Sequence, residues 1–295
     1  MLAAIWGSTR LFRHTIKTWD PANWMQVSPC PIKFIQLQNK PFARNPELHA
    51  SARTLMMIMS ITSNLERLQN EVAAACARAH RNPAGVALMA VSKIHPAEAL
   101  LEAYEAGQRL FGENRVQEWQ TKRTALANLF DPLSPAAQVA HAHLIGPLQN
   151  NKTSKAAEIF DAVDTIDSVK TAERLNAAAR ALGKKLRVLI EVKLSYEESK
   201  HGLAPDQLPG LLAALQPMEH LEICGLMTVP PFDEDPETAR PYFQQLRRLR
   251  DEQQAICPTL NELSMGMSND FAVAIEEGST TVRLGTAIFG KRIYP

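Results

Sequence analysis

The chain has 295 residues, with 32 Lys and Arg against 31 Asp and Glu and a formal net charge of +1. A surface so close to neutral carries no field to draw in a nucleic-acid backbone or an acidic membrane, so any phosphate recognition must come from a local pocket. Its four cysteines, Cys30, Cys76, Cys224 and Cys257, show no Cys-x-x-Cys spacing and none sits near a paired histidine, which argues against a zinc site or a disulfide framework and fits a reducing compartment such as the cytoplasm.

Residues 1–55 stand apart. They hold three of the four tryptophans and five prolines between Pro21 and Pro46, which exclude long helices there. This extension is expected to be poorly ordered or a mis-assigned start, since Met56, Met57 and Met59 fall just ahead of a clean amphipathic helix. The folded domain is expected over residues 59–295. Its first element is a helix over Asn64–His80, with Leu65, Leu68, Val72, Cys76 and Ala79 at helical spacing. Apolar strand-like runs follow at 86–91, 110–111, 143–145, 162–165, 186–192, 221–227, 262–265 and 281–284. Helix patterns separate them at 97–106, 116–129, 155–159, 169–182, 208–215, 236–254 and 271–277. No apolar run reaches the roughly 18 residues that a membrane span needs.

Eight strand–helix steps in this length predict a single (β/α)8 TIM barrel, for which roughly 250 residues is typical. A doubly wound sheet is the competing topology, but no Gly-x-Gly-x-x-Gly follows the first strand. In a barrel the chemistry stands at the C-terminal strand ends, so those positions are the ones to read. Lys93 follows the first strand. A lone loop lysine is ordinarily a solvated group, yet desolvating walls at a barrel mouth favour the neutral amine that attacks an aldehyde. Gly112-Glu113-Asn114 follows the second strand, and Gly146-Pro147-Leu148-Gln149 the third. His141 and His143 share a face, but no third ligand accompanies them and a metal site is not expected. The seventh strand runs into Ser264-Met265-Gly266-Met267-Ser268 and the eighth into Arg283-Leu284-Gly285-Thr286. Each turn alone reads as ordinary helix capping. Together, after strands seven and eight, they form a likeness to a phosphate seat, and the amine at residue 93 lies one strand away. A phosphate-bearing aldehyde satisfies both ends, and pyridoxal phosphate is the commonest cofactor of that kind.

These motifs resemble those of the pyridoxal phosphate homeostasis proteins, of the alanine-racemase N-terminal-domain type. The likeness runs over about 65–294 and rests on Ala90-Val91-Ser92-Lys93, Phe111-Gly112-Glu113-Asn114, His143-Leu144-Ile145-Gly146, Gly225-Leu226-Met227-Thr228, Leu263-Ser264-Met265-Gly266-Met267-Ser268 and Arg283-Leu284-Gly285-Thr286-Ala287-Ile288-Phe289-Gly290. The resemblance implies that Lys93 holds pyridoxal phosphate as a Schiff base. It also implies that Ser264, Met267, Ser268, Gly285 and Thr286 form the phosphate cup, that Arg283 approaches the pyridine nitrogen and that Asn114 lies near the ring. Pro147 departs from the family pattern and removes a backbone donor.

A permanently protonated arginine at the ring nitrogen makes the ring a weak electron sink. Only Lys291–Pro295 follow Gly290, so the second β domain with which related racemases cover the opposite face is not expected. The resemblance therefore implies an intracellular carrier or buffer of pyridoxal phosphate without robust catalysis, possessing apo-enzymes as candidate recipients and acting as a monomer. The alternative is a pyridoxal-phosphate-dependent amino-acid racemase or decarboxylase of the same fold.

Overall fold

The computed structural model describes residues 60–131, 139–195, 197 and 201–290, so the proposed extension lies outside the described residues. The chain enters through α1 (Ile61–Arg78), opened by Ser60, whose hydroxyl accepts the Ser63 amide at 3.1 Å. An N-cap of this kind satisfies a backbone donor that the first helical turn leaves without an intrahelical partner. Leu65, Leu68, Val72 and Cys76 face inward from α1 at the predicted spacing.

Eight strands then close into one parallel barrel in chain order, as the strand count predicted. They are β1 (Ala87–Val91), β2 (Leu110–Glu113), β3 (His141–Leu144), β4 (Ala162–Ile166), β5 (Leu186–Glu191), β6 (Leu221–Met227), β7 (Glu262–Ser264) and β8 (Thr281–Leu284). The helices between them are α2 (Ala97–Glu105), α3 (Val116–Ala125), α4 (Thr153–Ile159), α5 (Val169–Ala181), α6 (Leu208–Leu215), α7 (Arg240–Gln253) and α8 (Phe271–Glu276), with a short α9 (Thr286–Phe289) after the last strand. β8 pairs with β1 in register from Ala87 with Thr281 to Ala90 with Leu284, which closes the ring and sets the mouths of β7, β8 and β1 side by side.

The main core lies between strands and helices. Buried Leu175, Leu186, Leu212, Leu246 and Leu263 belong to it, and a fully buried leucine side chain contributes about 1.5–3 kcal/mol. Trp119 of α3 packs edge-on against Phe130 with centroids 4.9 Å apart, and its indole N–H reaches the Ile159 carbonyl at 2.9 Å. The barrel interior is different. Leu189, Cys224 and Met227 form a small separate apolar cluster there. Beside it Arg187 pairs with Glu262 and also donates to Cys224 Sγ, while His143 Nδ1 stands 3.1 Å from Asp164 Oδ1. Burial, partly offset by Arg187, pushes the Cys224 thiol up to about 12, so it stays protonated and inert at neutral pH.

Several boundaries differ from the sequence reading for local reasons. β2 extends through Gly112 and Glu113, which read as a turn, because both are held in register by β3. The helix expected over 116–129 stops at Ala125 and continues as a separate 3-10 turn over 127–130. The one expected over 236–254 begins as a 3-10 turn, and α7 starts at Arg240 with Pro241 in its first turn, where a missing N–H costs nothing.

Gly225 marks the tightest point of the sheet. A Cβ there would lie 2.1 Å from the Glu262 carbonyl oxygen, which is backbone and cannot swing aside. Gly225→Ala is therefore expected to cost at least the 1–3 kcal/mol typical of overpacking, read as a lower urea midpoint at constant slope. An unchanged midpoint would show that β6 and β7 separate freely at this position.

Candidate functional site

The C-terminal mouth of the barrel gathers most of the residues picked out in the sequence. Lys93 is half-buried and directly follows β1 and the fully buried Ser92. Gly285, just past β8, lies against the adjacent end of β1, since a Cβ on it would lie 3.4 Å from the Val91 carbonyl oxygen. Turns after β7 and β8 are tied together by the Ala287 amide, which donates to Ser268 Oγ at 3.3 Å. The amides of Ser268, Gly285 and Thr286 have no acceptor among the described residues. Backbone N–H groups left open at turns are the kind of donor that an anion can engage.

Gly266 makes the first of these turns possible. Its φ of +95° lies in the left-handed region, and a Cβ would come within 2.5 Å of the Ala274 Cβ. Arg283 then donates its amide to the Gly266 carbonyl at 2.9 Å, locking β8 to that turn.

Below the two turns lies Arg283, only 4% exposed. Its Nη1 donates to Ser264 Oγ and its Nη2 to the Thr228 carbonyl, each at 2.8 Å. Burial pulls this guanidinium below its usual range, opposed by the carboxyls of Asp164, Glu191 and Asp270. The arrangement separates the expected phosphate cup into two levels. Ser268, Gly285 and Thr286 belong to the open turns, whereas Ser264 is fully buried and engaged with Arg283. The Met267 amide is also engaged, donating to Asp270 Oδ1 at 2.5 Å. Asn114 stands at the mouth of β2, one strand beyond Lys93, pressed against Gly146, where a Cβ would meet the Asn114 carbonyl oxygen at 2.4 Å. The third-strand turn thus needs its glycine to reach Asn114.

Three further groups escaped the sequence reading. Glu191 ends β5 and is 8% exposed; burial pushes its carboxyl up to about 7, with Arg283 opposing and Asp167 adding to the rise. Asp270 is likewise raised, by burial first, although the Met267 amide and Arg283 work against it. Lys122 of α3 is 7% exposed and reaches under the Lys93 loop. The strand-end rule locates Glu191 once β5 is given its true end. Lys122 had no such signal, because a Glu-x-x-x-Lys pair on a helix reads as a solvated face.

Among the described residues no group of three or more His, Cys, Asp or Glu side chains could hold a metal ion. No helix of the described residues is long and apolar enough to cross a membrane. Cys76, Cys224 and Cys257 are buried and free.

Comparison with known proteins agrees with this fold. Residues 63–293 match the family described as alanine racemase, N-terminal domain. The pyridoxal phosphate homeostasis protein of Pasteurella multocida is 42% identical over 238 residues, covering 80% of this chain and 99% of its own. The structure of PipY from Synechococcus elongatus, with PLP bound, superposes with a TM-score of 0.68 at 39% identity, covering 78% of this chain and 100% of that one. Alanine racemase of Clostridium difficile shares the fold at 13% identity and a TM-score of 0.55, over 77% of this chain and 57% of its own.

Proposed function

The chain belongs to the family of pyridoxal phosphate homeostasis proteins, built on the alanine racemase N-terminal domain, and from that premise we propose that it binds pyridoxal phosphate reversibly as a carrier and buffer. The observation that carries this reading is the juxtaposition, at one barrel mouth, of Lys93, two turns with unengaged amides, and a buried arginine beneath them. When bound, pyridoxal phosphate supplies an aldehyde that an amine can hold covalently and a ring whose strength as an electron sink depends on its nitrogen.

The residues fit that group. Lys93 supplies the amine. The amides of Ser268, Gly285 and Thr286, with the hydroxyls of Ser268 and Thr286, supply donors for the phosphate. Arg283 keeps its proton at any pH the fold survives, so toward the ring it offers N–H groups only and never takes up a proton. Asn114 and Gly146 wall the side away from β8. Ser264 and Thr228 hold Arg283 in place. A site of this kind holds and releases the vitamin without strongly promoting carbanion chemistry, and apo-enzymes are the recipients it would serve.

Borohydride reduction of the protein incubated with pyridoxal phosphate tests the reading. Peptide mass spectrometry is expected to find the pyridoxyl mass on Lys93, and Lys93→Ala is expected to lose the visible absorption band. A modification spread over surface lysines would overturn the site. Incubation with single L-amino acids is expected to leave their optical rotation nearly constant, whereas rapid turnover would replace the carrier with a racemase or decarboxylase.

A further inference from the structure

The loop that presents Lys93 is held on both sides by one network, buried at Lys122 and Glu113 and half-buried at Glu118. On one side, Lys122 Nζ donates to the Ser92 carbonyl at 2.8 Å, to Glu113 Oε1 at 2.8 Å and to Glu118 Oε1 at 2.6 Å. An ammonium has three N–H groups, and these three acceptors use all of them. Ser92 Oγ donates to the same Glu113 oxygen at 2.7 Å. On the other side, the Ile94 amide donates to Glu118 Oε1 at 2.5 Å. The carbonyl before Lys93 and the amide after it are therefore both fixed by side chains of α3.

That grip adds to the turn's own bond, in which the His95 amide donates to the Ser92 carbonyl at 3.1 Å. Ile94 has φ of 72°, a left-handed conformation that a β-branched residue rarely adopts, and its side chain is 62% exposed, so core packing does not hold it there. Charge is also spent in an unusual place. Glu113 is fully buried, with its Oε2 unpartnered, and burial raises its carboxyl despite Lys122 and Ser92. Glu118 is raised by burial too, but bonds from Lys122 and the Ile94 amide outweigh this and hold it low. Apolar residues of similar volume commonly replace a buried ion network without loss of stability. Here the network's donors and acceptors converge on the two peptide groups flanking residue 93.

We propose that Lys122, Glu118 and Glu113 are positioning residues that impose the left-handed turn at Ile94 and so aim the Lys93 amine into the barrel mouth. The proposal rests on the reading of Lys93 as the amine that holds pyridoxal phosphate. Lys122 and Glu118 act on the backbone on either side of residue 93, and Glu113 acts through Lys122 and the Ser92 hydroxyl.

Lys122→Met and Glu118→Gln test it, the second at a half-buried position where folding is secure enough to keep the question open if the first does not fold. In the cofactor-free protein, amide exchange at residue 94 is expected to speed up about tenfold or more in Glu118→Gln. Titration with pyridoxal phosphate, followed by absorbance, is expected to show at least tenfold weaker binding in either variant. Adding Ile94→Asn to Glu118→Gln should restore most of that binding, because asparagine enters the left-handed region readily. Wild-type binding and exchange in Glu118→Gln, or failure of Ile94→Asn to rescue, would overturn the positioning role. Wild-type protein that carries no pyridoxyl mass on Lys93 would instead overturn the underlying site, so the two failures are told apart.

Discussion

Arg283→Glu is expected to cost the cofactor-free protein about 3–5 kcal/mol, the range for breaking a buried charge network by removing one partner. From sequence alone this exchange looks like a clean probe of a ring nitrogen. The structure gives the guanidinium a second task. It is 4% exposed, donates to Ser264 and Thr228, and is the cation toward which Asp164, Glu191 and Asp270 are drawn. Those three carboxyls are 1%, 8% and 7% exposed. A glutamate at position 283 would leave them without that cation and add a fourth anion. Domains of this kind have a net stability of about 5–15 kcal/mol, so the loss consumes much of what exists. Urea unfolding at pH 8 should show a much lower midpoint. Lowering the pH toward 5.5 should recover part of it, because carboxyls raised further in the folded variant bind protons more tightly there than when unfolded. A midpoint equal to wild type at pH 8 would mean that Arg283 does not neutralise this cluster. Arg283→Lys keeps the cation while losing the paired hydrogen bonds, at about 1–3 kcal/mol, and is the better variant in which to read spectra.

That double duty explains which features the sequence could disclose. Parallel strands buried on both faces read as apolar runs, so Leu186–Glu191 and Leu221–Met227 stood out, and eight such runs led to the barrel that the structure closes. The strand-end rule then led to Lys93 and to the turns at Ser268 and Gly285, which the closed ring brings side by side. Depth was less legible. Ser264 and Ser268 belong to one sequence motif, but only the register of β7 and β8 shows that the first lies beneath the turn with Arg283 while the second lines it. Charged groups placed under loops were not legible at all. Lys122 carries the spacing of a surface ion pair with Glu118, and nothing in one dimension shows that α3 turns that face toward the Ser92 carbonyl. The short α9 is not legible as a helix, since its four residues are too few to show a helical period.

Glu191→Gln is expected to stabilise the cofactor-free protein at pH 8 by up to about 3 kcal/mol. The chain after β5 folds back over this residue: the Leu203 amide donates to the Glu191 carbonyl at 2.8 Å, and Gly202, at φ +115°, passes so close that a Cβ would lie 3.2 Å from Glu191 Cγ. Burial beneath that turn pushes the carboxyl from 4.5 up to about 7, more than Arg283 can offset. The folded state therefore holds this proton more tightly than the unfolded chain. Stability from this group is fully present below about pH 4.5, falls as pH rises toward 7 and is level above it. A shift of this size, at about 1.4 kcal/mol per pH unit, gives the expected gain when glutamine removes the charge. The difference between variant and wild type should vanish near pH 4.5 and reach its full value near pH 8. A constant difference across that range would show that Glu191 is not forced to ionise in a poorly hydrated place. The two predictions also couple. In the Glu191→Gln background one of the three carboxyls facing Arg283 is gone, so Arg283→Glu should cost less than it does alone, by about 0.5–3 kcal/mol as is usual for charges in one network. Strict additivity would place Glu191 and Arg283 in separate electrostatic environments.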